Sequence, residues 1–206
     1  MTSKPWRVGV IGLGSMGLGM ALSLKRAGFD VTGCDVTPEA VSRLVSEGGR
    51  SAATPADAAD GADAVVSVVV NAAQTETILF GAGGVAETLP KGAVFISSAT
   101  MDPDVARRLA KQLEASGRLY LDAPLSGGAQ RAAQGELTIL ASGSEAAFAR
   151  ARPALDAMSA KLYELGNEPG QGAAFKMINQ LLAGVHIAAA SEAMVFAAKQ
   201  GLDIAK

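Results

Sequence analysis

Short apolar runs alternate with longer amphipathic segments along most of the chain. Each run is rich in aliphatic residues and nearly free of charge, which predicts strands that are buried on both faces. The six predicted strands are Arg7–Ile11, Val31–Cys34, Ala64–Val70, Ala93–Ser97, Leu119–Asp122 and Leu137–Ala141. Because helical segments separate them, the pattern predicts an α/β fold with a doubly wound parallel sheet of the Rossmann type.

Local signals place helices between these strands. Ser15–Ala27 has a helical pattern, which Gly28 ends. Thr37, Thr54 and Asp102 each precede a proline, an arrangement typical of an N-cap followed by the first helical residue. These helices would connect successive strands of the sheet.

The segment Gly166–Gly170 has the composition of a linker and divides the chain into two predicted domains, 1–166 and 167–206. Beyond it, Ala173 to about Gln200 is predicted to form one long helix with apolar residues on most of its faces. Such a helix must be buried by something. Two possibilities remain open: the helix docks on another subunit, or the chain is a piece of a longer protein.

Composition narrows the range of functions. The 206 residues include 18 basic and 20 acidic ones, and a net charge of −2 argues against a nucleic-acid-binding surface. The single Cys34 and the single His186 exclude a disulfide framework and most metal sites. The segment Val8–Leu24 lacks charge, as signal peptides do, but contains five glycines. We therefore expect a cytoplasmic protein with no metal, nucleic-acid or membrane partner.

A glycine-rich hexapeptide lies between the first predicted strand and the first predicted helix. It reads Gly12-Leu13-Gly14-Ser15-Met16-Gly17. In a dinucleotide-binding turn, the first glycine permits the bend, the second lets the backbone approach a pyrophosphate, and the third lets the helix pack on the sheet. The first N–H groups of the helix would bind the phosphates. The alternative is that the glycines only mark a turn.

Asp35 follows the second predicted strand, 18 residues after Gly17. An acid at about this distance accepts hydrogen bonds from the ribose hydroxyls and repels a 2′-phosphate. Val36 and Thr37 come next, so no arginine is present there to bind that phosphate. The predicted cofactor is therefore NAD rather than NADP.

Lys176 is the strongest candidate for acid–base chemistry. Gly172, Asn179 and Gln180 lie three or four residues away, so they share one helical face with it. The glycine would leave room for a ligand beside the amine, and an apolar environment would lower the pKa of the lysine toward neutrality. A lysine that extends to solvent from a helix end is an equally acceptable interpretation.

Three further candidates follow predicted strands, where ligands bind in open α/β sheets. Ser126, Gly127 and Gly128 form a turn whose N–H groups and hydroxyl could bind a carboxylate, although such a turn can also be only structural. Thr100 could reach the same cleft or simply precede a helix. Asn71 is either a helix cap or a group near the nicotinamide ribose, and the pattern favours the cap.

Four motifs in order make the whole chain resemble the β-hydroxyacid dehydrogenases. They are the opening VGVIGLGSMGLGMALSLKRAG, the turn DAPLSGG, the run Gly172–Lys176, and Asn179. The stretches AAQGELTILASGSEAAF and LLAGVHIAAASEAM look most like the L-threonate dehydrogenase branch. The resemblance implies NAD-dependent oxidation of a small hydroxy acid, most simply L-threonate at its 2-hydroxyl.

The resemblance also implies roles for individual residues. Lys176 would be the acid/base with Asn179 as its partner, Ser126, Gly127 and Gly128 would bind the substrate carboxylate, and Thr100 and Asn71 would line the cofactor site. Members of this family continue through several more helices, so we expect 167–206 to be the start of an all-α domain through which a homo-oligomer forms.

The chain departs from the family pattern in two places. It has Ser97-Ser98-Ala99-Thr100 where many members have Asp-x-Ser-Thr, so only the threonine carries over, and Gln180 replaces a second asparagine. Gln180 could change which substrate shape is selected. The alternatives to an L-threonate dehydrogenase are a 3-hydroxyisobutyrate, tartronate semialdehyde or glycerate dehydrogenase, and an NAD-binding module without catalysis.

Overall fold

The computed structural model describes residues 5–205. Residues 1–4 of the first predicted domain and residue 206 of the second lie outside this part. The strands are β1 (Arg7–Ile11), β2 (Asp30–Cys34), β3 (Arg50–Ser51), β4 (Ala64–Ser67), β5 (Val94–Ser97), β6 (Leu119–Asp122), β7 (Leu125–Ser126), β8 (Leu137–Ala141) and β9 (Ser159–Glu164). The first six form one parallel sheet in the order β3-β2-β1-β4-β5-β6. This is the strand order of a dinucleotide-binding sheet, in which ligands bind where the order reverses, beyond the ends of β1 and β4.

Helices follow most of these strands, as the alternating pattern predicts. They are α1 (Gly17–Arg26), α2 (Pro38–Ser46), α3 (Pro55–Ala59), α4 (Ala72–Phe80), α5 (Val85–Thr88), α6 (Pro103–Glu114), α7 (Gly128–Gln134), α8 (Glu145–Met158) and α9 (Gln171–Lys199). Thr54 caps α3 reciprocally with Asp57, and Asp102 accepts the N–H of Asp104 at the start of α6. Thr37 precedes α2 but accepts no side-chain capping bond.

Both faces of the six-stranded sheet are buried, because consecutive side chains of each central strand enter different cores. Val66 and Ile96 belong to one hydrophobic cluster, whereas Val65 and Phe95 belong to the other. All four side chains are essentially inaccessible to solvent. Parallel sheets need such two-sided burial, which explains why their strands are continuous apolar runs in the sequence.

Two strand predictions need correction. The predicted strand Ala64–Val70 ends at Ser67, because the backbone of Val68 turns into the loop that packs against Gly12. The predicted strand Leu137–Ala141 forms with these bounds, but it belongs to a second, three-stranded sheet, β7-β8-β9. It pairs antiparallel with β7 and parallel with β9, so it does not extend the main sheet.

The helix α9 leaves the body of the protein after its first two turns. Within residues 5–205 it is the one helix that is long and apolar enough to cross a membrane by length and composition alone. Its only buried residues are Gly172, Ala173 and Lys176. The large apolar side chains of its remaining turns are half exposed or more. The prediction of a long, apolar helix is therefore confirmed, and only its beginning packs on the rest of the described chain.

Candidate active site

The three glycines of the loop after β1 occupy the positions that a dinucleotide-binding turn requires. Gly12 has a φ of +90°, and its N–H donates to the carbonyl oxygen of Cys34 at 2.9 Å. A methyl group on Gly17 would lie 1.8 Å from the carbonyl oxygen of Gly12, so this glycine permits helix packing. A methyl group on Gly14 would meet no atom within 4 Å, so the exposed backbone there is open to a ligand. These features fit a bound pyrophosphate.

Asp35 links the end of β2 to this loop. Its carboxylate oxygen Oδ2 accepts the N–H of Leu13 at 2.5 Å, and Oδ1 accepts the N–H of Thr37 at 2.7 Å. The carboxylate therefore has a fixed orientation and remains partly exposed beside the loop. Two apolar side chains to which the sequence pattern assigns no role, Val36 and Val70, are 99% and 80% exposed where the chain leaves β2 and β4. Such apolar side chains could cover the faces of a planar base.

Asn71 and Thr100 follow the next two strand ends, as predicted. Asn71 is the N-cap of α4, because its Oδ1 accepts the N–H of Gln74 at 3.0 Å. This confirms the helix-cap interpretation, and the exposed side chain keeps its amide NH₂ group on the outer surface. Thr100 is exposed after β5. Within residues 5–205, no group of three or more His, Cys, Asp or Glu residues could hold a metal ion.

The turn Ser126-Gly127-Gly128 connects β7 to α7 just beyond the end of β6. Gly127 and Gly128 have φ angles of +136° and +76°, a backbone region that side chains disfavour, and both are exposed. A methyl group on Gly128 would meet no atom within 4 Å. The turn therefore presents open backbone at the same sheet edge as the glycine loop, and the Ser126 side chain is half-buried beside it.

Lys176 lies in the second turn of α9 with only 7% of its surface exposed. Burial lowers the pKa of its amine below the ordinary value, as the sequence pattern predicts. No salt bridge to Lys176 occurs within residues 5–205. A lower pKa makes the neutral amine more available to accept a proton, which suits acid–base chemistry. Asn179 is one turn further along α9 and exposed.

The prediction that Gly172 leaves room for a ligand beside the amine of Lys176 is wrong. A methyl group there would lie 2.4 Å from the carbonyl oxygen of Leu140 and 3.2 Å from that of Asp122. The glycine therefore allows the first turn of α9 to contact the backbone of β6 and β8. It does not create space for a ligand beside the amine of Lys176.

Two buried polar residues beside α9 were missed by the sequence analysis. Asp122, at the end of β6, accepts the N–H groups of Gly170 at 3.0 Å and Ala173 at 2.8 Å on its Oδ2. Ser142 accepts the N–H of Gly172 at 2.9 Å. One signal was present, since an aspartate at the end of a buried strand needs a partner. The partners are 48 and 51 residues away, which no local pattern can indicate.

Burial raises the pKa of Asp122 from 3.8 to about 6, although the N–H groups of Ala173 and Gly170 oppose the shift. The folded carboxyl thus keeps its proton at pH values where the unfolded one has lost it, so its contribution to stability is complete below about pH 4 and lost by about pH 6. We expect the free energy of unfolding to fall by about 3 kcal/mol across this window.

Urea denaturation between about pH 4 and about pH 7 measures this effect. The variant Asp122→Asn removes the titrating group, so the difference in stability between the two proteins should change across the window. Parallel stability curves for the two proteins would contradict the assignment.

Similarity to known proteins agrees with this geometry. Residues 7–166 match the family described as the NAD binding domain of 6-phosphogluconate dehydrogenase, and residues 170–206 match the NAD-binding family of NADP-dependent 3-hydroxyisobutyrate dehydrogenase. The chain is 50% identical to L-threonate dehydrogenase of Cupriavidus necator over 95% of its own length and 66% of that enzyme. The chain belongs to the β-hydroxyacid dehydrogenase family. This confirms the resemblance found in the sequence.

Other members of the family have the same fold. A 3-hydroxyisobutyrate dehydrogenase of Salmonella typhimurium is 48% identical, with a TM-score of 0.89 over 96% of this chain and 69% of that one. The mitochondrial 3-hydroxyisobutyrate dehydrogenase of Rattus norvegicus is 35% identical over 95% of this chain and 58% of that enzyme. The chain thus spans about two thirds of the length of such relatives. The predicted Rossmann-type fold and the predicted NAD cofactor are confirmed.

Proposed function

We propose that the protein oxidises a short hydroxy acid with NAD, most specifically L-threonate at its 2-hydroxyl. The observation that carries this proposal is the buried Lys176 on α9, whose first turn is bound by Asp122 at the end of β6, at the edge of the sheet where the glycine loop also lies. A reactive amine and a dinucleotide loop at one edge suit proton removal coupled to hydride transfer. The identity to L-threonate dehydrogenase supports the choice of substrate.

Residues after successive strands would hold the cofactor. The loop from Gly12 to Gly17 would bind the pyrophosphate. Asp35 would accept hydrogen bonds from the ribose hydroxyls and exclude a 2′-phosphate. Asn71 and Thr100 would line the nicotinamide side, where the ends of β4 and β5 lie. NAD, when bound, supplies the acceptor for the hydride that leaves the carbinol carbon.

The substrate would bind between the Ser126 turn and α9. The hydroxyl and N–H groups of Ser126, Gly127 and Gly128 would bind its carboxylate, which fixes the carbinol carbon. The neutral amine of Lys176 would accept the hydroxyl proton at Nζ as the carbonyl forms. Asn179 would donate a hydrogen bond to a substrate oxygen or orient that amine.

A 3-hydroxyisobutyrate dehydrogenase is the second candidate, because a relative with that name is 48% identical to the chain. The two substrates differ in shape and polarity, because threonate carries a hydroxyl on each of its three carbons beyond the carboxylate, whereas 3-hydroxyisobutyrate carries one hydroxyl and a methyl branch. A site that hydrogen-bonds those hydroxyls discriminates strongly against the methyl compound, since its polar groups would be left unpaired.

The full-length protein should be assayed for NADH formation with L-threonate, 3-hydroxyisobutyrate and glycerate, each with NAD and NADP. We expect kcat/KM to be highest for L-threonate with NAD, by about a hundredfold or more over 3-hydroxyisobutyrate. A preference for 3-hydroxyisobutyrate would support the second candidate. NAD binding in calorimetry without turnover of any acid would support an NAD-binding module.

The same proposal includes how the chain divides into domains, which partners it has and where in the cell it works. We assign 1–166 to cofactor binding and 167–206 to the start of an all-α substrate and dimerisation domain. Exposed apolar residues along α9, among them Leu181, Ile187 and Phe196, support association with a second copy. A small acid and NAD as ligands suit a cytoplasmic location, without a membrane or nucleic-acid partner.

A further inference from the structure

The first turn of α9 is held by two buried residues that come from different sheets. Asp122 ends β6, and Ser142 follows β8; their backbones pair through two hydrogen bonds, of 3.0 Å and 2.8 Å. Both side chains have no exposed surface. The Ser142 hydroxyl also donates to Asp122 Oδ2 at 3.4 Å. The two residues therefore form one rigid unit, which we call the β6–β8 clamp.

The clamp binds three N–H groups at the start of α9. Asp122 accepts those of Gly170 and Ala173, and Ser142 accepts that of Gly172. These N–H groups have no partner within the helix, so a buried helix start needs such acceptors. Gly170, at the N-cap position, has a φ of +95° and, being glycine, has no side chain that could cap the helix. The clamp thus replaces the usual N-cap residue.

Lys176 is coupled to this clamp through the helix. It lies three residues after Ala173 and four after Gly172, which places it directly above them on the same face. Because helix hydrogen bonds make one turn rigid, the position of its Nζ depends on how the first turn is seated.

Asp122 does not act on Lys176 as a counter-ion. Burial alone lowers the pKa of the lysine, and the two residues form no salt bridge within residues 5–205. Arg107 of α6 acts electrostatically on the Asp122 carboxyl and favours its ionised form. Burial, and to a smaller extent Asp122, raises the pKa of the strand neighbour Tyr120, which therefore stays neutral. Asp122 Oδ1 has no hydrogen-bond partner among the described residues, so the contact with α9 is made by Oδ2.

We propose that Asp122 and Ser142 are positioning residues of the active site, which fix the reactive amine of Lys176 by binding the backbone at the start of α9. This inference rests on the proposed function of Lys176. Asp122, the buried aspartate before the Ser126 turn, would hold the backbone of α9 in place, whereas other residues would touch the substrate. Orientation of this kind is sensitive, since a shift of about 1 Å in a reacting group can lower the rate by about a hundredfold.

The test compares Ser142→Ala with Ser144→Ala in the full-length protein. Ser144 caps α8 by accepting the N–H of Ala147 at 3.2 Å, so the control loses the same kind of bond from a helix that does not carry the lysine. Both variants should lower the denaturation midpoint. Only Ser142→Ala should lower kcat, by about ten- to a hundredfold, with an unchanged dissociation constant for NAD. Asp122→Ala removes the acceptor and should also lower kcat. Asp122→Asn keeps an oxygen acceptor and should retain most of the activity that the alanine variant loses.

A second readout does not depend on turnover. Acetic anhydride labelling, resolved by mass spectrometry, reports the reactivity of the Lys176 amine, with the exposed Lys111 as internal reference. Ser142→Ala should change the labelling of Lys176 and raise its apparent pKa toward that of a solvated lysine, whereas Ser144→Ala should not. If the wild-type protein oxidises no hydroxy acid, the proposed function fails while labelling still tests the clamp. Equal kcat and labelling for wild type and Ser142→Ala would overturn the clamp itself.

Discussion

Replacing Lys176 by alanine should lower kcat/KM for the hydroxy acid by about a hundred- to ten-thousandfold, the usual contribution of a positioned general acid or base. The amine lies in a buried position without an ion-pair partner within residues 5–205, so no neighbouring group there replaces it. The dissociation constant for NAD, measured by calorimetry, should stay within about threefold of wild type, because the glycine loop is a separate contact.

Two controls separate chemistry from packing. Lys176→Met keeps the apolar stem and should lose as much activity as the alanine variant while folding well, because it replaces a buried polar amine with an apolar group of similar length. Lys111→Ala, on an exposed position of α6, should leave activity unchanged. Added ethylamine should partly restore the alanine variant but not the methionine variant, which leaves no space for the amine.

The pH dependence of kcat/KM shows whether Lys176 accepts or donates the proton. The neutral amine must accept a proton during oxidation, so kcat/KM of the wild type should rise with pH through the pKa of Lys176. Burial lowers that pKa, so the rise should occur below the range of an exposed lysine. Lys176→Ala should lose this rise. An unchanged kcat/KM in both Lys176 variants would contradict the role.

Local rules of the sequence were sufficient to predict the backbone geometry of the glycine loop. The bend at Gly12, the open surface at Gly14 and the close packing at Gly17 each have the physical reason that the motif predicts. These effects act over a few residues: a φ angle, a missing methyl group, a helix start. The position of Asp35 is equally local, because it follows from the spacing between β1 and β2.

Contacts between distant segments could not be predicted in the same way. The apolar run that begins at Ala64 continues to Val70, but the strand β4 ends at Ser67 because the loop around Gly12 meets the chain at Val68. Likewise, the pattern of Leu137–Ala141 predicts a strand and not the sheet that it joins. Asp122 holds α9 across 51 residues of sequence, so its role depends on how the folded sheets meet.

The second large effect is expected at Gly14, where an alanine should weaken NAD binding without harming the fold. The backbone of Gly14 does not have a positive φ, and a methyl group would meet no atom within 4 Å. The free energy of unfolding should therefore change by less than about 1 kcal/mol. The same methyl group would occupy the surface that a pyrophosphate approaches, so the NAD dissociation constant should rise by about ten- to a hundredfold.

Gly17 and Gly184 provide the contrast that makes this result informative. Alanine at Gly17 would place a methyl group 1.8 Å from the Gly12 carbonyl oxygen, so this variant should be strongly destabilised. Alanine at Gly184, on the exposed part of α9, also meets no atom within 4 Å and should leave NAD affinity unchanged. Calorimetric titration and urea denaturation of the three variants measure both quantities. Wild-type affinity in Gly14→Ala would mean that the dinucleotide does not contact this loop, because a methyl group there can act only on a ligand.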